Sequence, residues 1–191
     1  MQPVAMTRIR LGLAMLGRKP GGSDVLACLL EQEQLPGSGW TVLDQRTWRT
    51  GVGASAAWQH RAKAIGSITA WRSFEQVGTS RWLWVQVVPL ATESDAIEAV
   101  ASAPTRMLRN LSARVRVVEE HQVVLPAPFA APAGWAVEQR TEGKIGQGSS
   151  FMVVVASGRY SLVLAASSLG EPWTWDDLCG LARQQVSRLP T

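Results

Sequence analysis

The feature that most constrains this chain is a pair of strand-like runs, Ser67 to Val77 and Arg81 to Leu90, set apart by Gly78-Thr79-Ser80. Two such runs around a glycine-bearing turn specify an antiparallel hairpin. With Gly78 and Thr79 as the loop, Val77 faces Ser80, and the period of two then sorts every side chain. Trp71, Ser73 and Glu75 share a face with Trp82, Trp84 and Gln86. The other face gathers Ile68, Ala70, Phe74, Leu83, Val85 and Val87 and reads as core, with Arg72 its one polar member. A lone hairpin is marginal in water, so this apolar face requires further strands or a helix.

The sequence supplies both. Ser23 is placed to cap a helix from Asp24 to about Gln34 that Pro36-Gly37 ends, and Gly39 to Trp48 reads as a strand. Glu93 to Ala103 has helical spacing, broken by Pro104, and Thr105 to Ala113 reads as a shorter helix. A strand over Arg114 to Leu125 leads into a Pro/Ala-rich connector, Pro126 to Pro132. Beyond it lie strands at Phe151 to Ala156 and Arg159 to Ala166, and a helix from about Trp175 to Arg188 with Thr174 as its N-cap.

The second half echoes the first. Gly134-Trp135-Ala136-Val137 repeats Gly39-Trp40-Thr41-Val42, and a hairpin and a helix follow in both. This predicts an α+β fold: a central antiparallel sheet flanked by helices, built as two similar halves, about 23–103 and 104–191, related by approximate two-fold symmetry. Residues 23–191 are then one domain, and 1–22 a flexible leader. The apolar fraction, 46% of 191 residues, suits a single core.

Composition narrows the function classes. No run nears the roughly 20 apolar residues that span a bilayer. Met6 to Gly17 has a basic and then an apolar part, but the apolar part is short and Arg18-Lys19-Pro20 replaces a small-residue cleavage site, which favours a cytoplasmic setting over a secreted or surface-associated one. Two cysteines, Cys28 and Cys179, and two histidines, His60 and His121, have no zinc-site spacing. Both cysteines sit among apolar neighbours at helical spacing, which predicts core-facing thiols.

The Gly134-Trp135 start, the strands Phe151 to Ala156 and Arg159 to Ala166, and the closing helix ending Ser187-Arg188-Leu189-Pro190 resemble the sensor domain of mycobacterial receptor-type serine/threonine kinases and the related PsbP-like domain of actinobacterial lipoproteins. The resemblance covers roughly residues 23–190. It implies a central antiparallel sheet, flanking helices and a ligand cleft without catalysis. Two departures accompany it: the chain reads without a membrane tether or lipobox, and it has two cysteines where the kinase sensors have two pairs.

Several constellations tempt a catalytic reading and fall short. Glu119 and His121 share one side of a strand, but no Ser or Cys nucleophile is tied to them. Asp176 and Asp177 are accounted for as acidic residues in the first turn of a helix. Gly143 to Ser150 has glycines and a lysine, but the lysine precedes the later glycines and no helix follows, so the segment reads as a flexible connection or a mobile lip.

What stands out is tryptophan, nine in the chain, interleaved in the first half with Arg46, Arg49, Arg61, Lys63, Arg72 and Arg81. Large flat rings beside polar groups are what a ligand cleft needs. The expected site is therefore Trp71, Trp82, Trp84, Arg72, Arg81 and Arg49, in a non-enzymatic domain that binds an anionic or amphipathic ligand and uses no cofactor or metal. The alternative is a scaffold or assembly subunit that docks a protein partner through the same aromatic face. Single-stranded nucleic acid, which also suits basic-plus-aromatic surfaces, is less favoured.

Overall fold

The computed structural model describes residues 23–49, 68–102, 116–143 and 146–190. Within them lies one seven-stranded, wholly antiparallel sheet: β1 (Trp40–Arg49), β2 (Ile68–Gln76), β3 (Arg81–Pro89), β4 (Arg116–Val123), β5 (Gly134–Gly143), β6 (Gly146–Ser157) and β7 (Tyr160–Ser168), in the spatial order β1-β2-β3-β7-β6-β5-β4. Among the described residues three helices accompany it: α1 (Ser23–Ala27), α2 (Glu93–Ala101) and α3 (Trp175–Ser187), with a 3-10 turn at Gln32–Gln34. The fold is α+β, as expected.

The hairpin register is the one its turn dictates. Trp71 pairs with Gln86, Ser73 with Trp84 and Glu75 with Trp82. Gly78 takes φ +82°, a conformation that favours glycine, and closes the loop. Helix starts are also local products. Thr92 and Thr174 cap α2 and α3 through reciprocal bonds with Asp95 and Asp177, satisfying N–H groups that a helix start leaves open.

The two sheet faces are packed differently. On one, α3 and the segment Leu29 to Leu35 cover the main core, where Phe74, Leu83, Val85, Leu162, Leu164, Leu178 and Ala182 are nearly inaccessible. On the other, α2 lies over β5, β6 and β7, setting Val100 against Val137, Met152, Val154 and Val163. The strand order is symmetric about the β3/β7 pair, with β4 added at one edge. Trp40 nevertheless faces the α3 side and Trp135 the α2 side, as the two helices themselves do. A two-fold axis normal to a sheet preserves its faces, so it can relate the strands but not these side chains or helices.

Two expectations are corrected. The first helix stops at Ala27 instead of reaching Gln34, because polar side chains from elsewhere take over the backbone of the next residues. Gln185 accepts from Leu30 N–H at 2.9 Å and donates to Cys28 O at 2.6 Å, Arg72 donates to Leu30 O at 2.6 Å, and Arg188 donates to Ala27 O at 2.9 Å. The segment is thereby held extended against α3. Gly146 to Ser150 is not a loose connector but the start of β6, paired with β5 from Gly143↔Gly146 onward. Gly148 permits close passage there, since a Cβ would fall 2.7 Å from Ser168 O. The short helix expected at Thr105 to Ala113 lies outside the described residues, as does the leader 1–22.

Cys179 sits in the core, where burial pushes its thiol pKa up, offset in part by Arg183 and reinforced by Asp176. Cys28 is half-buried beside α3. Gln185 is fully buried and serves both a donor and an acceptor of the extended segment, so Gln185→Leu should lower unfolding free energy by about 2 kcal/mol or more, leaving two backbone groups unsatisfied. Denaturant melts of the two proteins at equal slope would measure it.

Candidate functional site

The predicted site residues separate onto the two faces of the sheet. Trp71, Trp82 and Trp84 lie on the α2 side, each half-buried. Trp84 packs at the margin of the α2 cluster beside Ala165, and the rings continue outward across β2 to β1. Trp71 stands 6.2 Å from Trp84 at 51° between planes, and Trp48 stands 6.2 Å from Trp71 at 61°. Such tilted and edge-on contacts suit aromatic quadrupoles and fix the rings without stacking them flat. The result is a diagonal line of three tryptophans over β1, β2 and β3.

Polar groups run beside this line. Cross-strand pairing sets Asp44 next to Ser73 and Arg46 next to Trp71, and Asp44 and Arg46 bind each other at 2.9 Å on the surface. Glu75 flanks Trp82 and Gln86 flanks Trp71. Beyond Trp82 the same row continues through Ser167, Ser150 and Gln139, whose amide donates to Glu120 at 2.6 Å. The described charges on this face are thus of both signs, with Arg46 balanced by its neighbour.

Arg72 and Arg81 are on the opposite face and are structural. Arg72 is buried, bonded to Leu30 O, to Gln45 at 2.9 Å and to Glu31 at 2.6 Å. It holds the segment before β1 onto the sheet. Arg81, also buried, lays its guanidinium 4.0 Å from the Trp173 ring centroid and 6.0 Å from that of Trp40, with Asp177 at 3.5 Å. Its Nε has no hydrogen-bond partner, and the aromatic faces supply the compensating attraction. Sequence reasoning had already put Arg72 on the core face; nothing in the local pattern announces that Trp40 and Trp173 meet, 5.4 Å apart, to enclose Arg81. Arg49 ends β1 and its side chain lies outside the described residues, as do Trp58, Arg61 and Lys63.

The Glu119/His121 pair does come together, at 2.8 Å, with Arg140 3.1 Å from the same carboxylate. All three are exposed, Glu119 and His121 on edge strand β4 and Arg140 beside them on β5. The hydrogen bond from His121 and the Arg140 charge hold the Glu119 carboxyl below its usual range. Among the described residues no cluster of three or more His, Cys, Asp or Glu could hold a metal, and no helix is long and apolar enough to cross a membrane. Asp176 and Asp177 occupy the first turn of α3, as their helix-start reading requires.

With the aromatic face, the buried arginines and the strand order in view, the chain can be set beside known structures. It has the fold of the extracellular domain of PknH from Mycobacterium tuberculosis. The two overlay with a TM-score of 0.57 at 12% identity, over 90% of this chain and 97% of that one. The fold implied by the resemblance to receptor-kinase sensors is therefore present. A putative uncharacterized protein of Mycobacterium smegmatis, the Rv0999 ortholog, overlays less well, with a TM-score of 0.40 at 10% identity over 80% of this chain and 90% of that one. The chain matches no protein-family model and no curated protein.

Two outcomes follow from the geometry. Arg81→Ala should destabilise the domain by about 2 kcal/mol, through lost cation–π contact and lost packing of the side-chain stem, without altering the Trp71/Trp84 face; calorimetric melting checks the first part and amide shifts of β2 the second. In a carboxyl-detected NMR titration, Glu119 should titrate below its ordinary value, and His121→Ala should move the midpoint back up. Because this folded-state pKa is depressed, any stability it lends is present above the ordinary value and lost as pH falls through the folded one.

Proposed function

We propose that this domain is a non-enzymatic, sensor-like binding module, and that its ligand is amphipathic and lies along Trp48, Trp71 and Trp84. The observation that carries the reading is the half-exposed line of rings beside Asp44, Arg46, Glu75 and Gln86. Indole faces give a ligand apolar contact area, and flanking carboxylate, amide and guanidinium groups orient its hydroxyl or amide parts. An anionic ligand is less well served than composition suggests, because Arg72 and Arg81 are committed to the other face. The PknH neighbour is an extracellular domain, which supports a secreted or surface-associated setting over a cytoplasmic one.

Protein docking through the same surface is the second reading. It is favoured by Leu43, 48% exposed at the bulge of edge strand β1, next to Asp44 and Ser73. An exposed aliphatic next to half-buried tryptophans resembles the centre of an interface more than a solvated rim.

The test uses octyl glucoside, a neutral amphiphile, below its micellar concentration. Saturable tryptophan quenching is expected, weakened about tenfold by Trp84→Ala and by Trp71→Ala, since one buried aromatic contact contributes about 1 to 3 kcal/mol. Circular dichroism should show both variants folded. Binding unchanged in both variants would remove the site, and unfolding of both would return the rings to the core.

A further inference from the structure

A concavity lies at the Tyr160 end of β7, away from Trp82. Trp82 pairs with Ser167, whereas the concavity is lined by Ser157, Gly158, Arg159 and Tyr160 around the β6–β7 turn, by Val186 in the last turn of α3, and by Leu189 and Pro190 just after it. The two surfaces lie on opposite sides of the sheet: Tyr160, Val186 and Leu189 pack against the α3-side core, whereas Trp84 packs against the α2-side cluster. The volume of the concavity is about 600 Å³, within the range of small-ligand sites.

The walls differ in chemistry. Val186, Leu189 and the Tyr160 ring form an apolar side continuous with the main core. Arg159 stands exposed at the rim, its guanidinium 5.6 Å from the Tyr160 ring centroid. No carboxylate among the described residues meets it. The turn that carries it is pinned, because Arg159 O accepts from Leu90 N–H at 2.8 Å, which fixes the backbone from which the cation projects. Because α3 ends at this groove, the negative end of its dipole disfavours negative charge deep in it and leaves the Arg159 rim as the place for an anion.

We infer that this groove binds an aliphatic carboxylate, its chain lying on Val186 and Leu189 and its carboxylate held at the rim by Arg159. A planar guanidinium with open donors matches a carboxylate bidentately. The apolar wall gives the chain a place to leave water. This site is independent of the tryptophan face, and neither proposal needs the other.

The probe is sodium decanoate, followed by calorimetry and by amide shifts of the full chain. Saturable one-to-one binding is expected, with shifts at Ser157 to Tyr160 and Val186 to Leu189. Arg159→Gln, an exposed change that leaves the fold intact, should weaken it about tenfold or more, the scale of a charge-assisted bond, and Trp84→Ala should leave it unchanged. Decyltrimethylammonium, with the same chain and opposite charge, should bind Arg159→Gln at least as well as the parent. Absence of saturable decanoate binding, equal affinity in Arg159→Gln, or shifts centred on Trp71 and Trp84 would each overturn the inference.

Discussion

The nine-residue pairing of β3 with β7, from Arg81↔Ser168 to Pro89↔Tyr160, is the contact on which the rest depends. The other strand pairs join neighbours in sequence. β3/β7 alone joins segments some eighty residues apart, and without it the sheet would be a three-stranded and a four-stranded piece, each with an open edge. Its closure loses chain entropy that local hairpins do not. The core around it compensates: Leu83, Val85 and Val87 lie beside Ala166, Leu164 and Leu162 under α3, all nearly inaccessible. The seam also touches both candidate surfaces, Trp84 on its α2 side and Tyr160 on its α3 side.

Features set by local chemistry were legible in the sequence. The β2–β3 register followed from one glycine turn and an alternating pattern, and with it the placement of Trp71, Trp82 and Trp84 together. The starts of α2 and α3 followed from threonine caps and broken periodicity. Features made by distant partners were not. The helical pattern through Leu30 loses to Gln185, which is 155 residues away, and no window of sequence contains both. For the same reason, the arginines looked like ligand groups: a basic residue between tryptophans reads identically whether it meets a ligand or, like Arg81, two rings of its own chain.

The Gly-Trp echo shows how matching letters can answer different constraints. Gly39 stands at φ +82°, where a side chain would be strained. Gly134 has no such angle; a Cβ there would meet Phe129 O at 2.0 Å, so glycine is needed for close passage of the connector. The tryptophans that follow them point to opposite faces, one into the main core and one toward α2. The repeated order of strands is therefore shared more fully than the reasons for the residues that mark it.

The extended segment before β1 also has a mechanical meaning. Its backbone is tied by the side chains of Arg72, Gln185 and Arg188 and not by sheet ladders, and two of those three anchors sit at the end of α3, Gln185 in its last turn and Arg188 at its C-cap. A pull applied at residue 23 would load a few discrete side-chain ties in series before it reached the β1 ladder. Such ties yield one at a time, whereas a ladder of nine paired residues resists together. Tension on this segment would thus be felt first at the end of α3, beside the groove at Tyr160, with the sheet left whole.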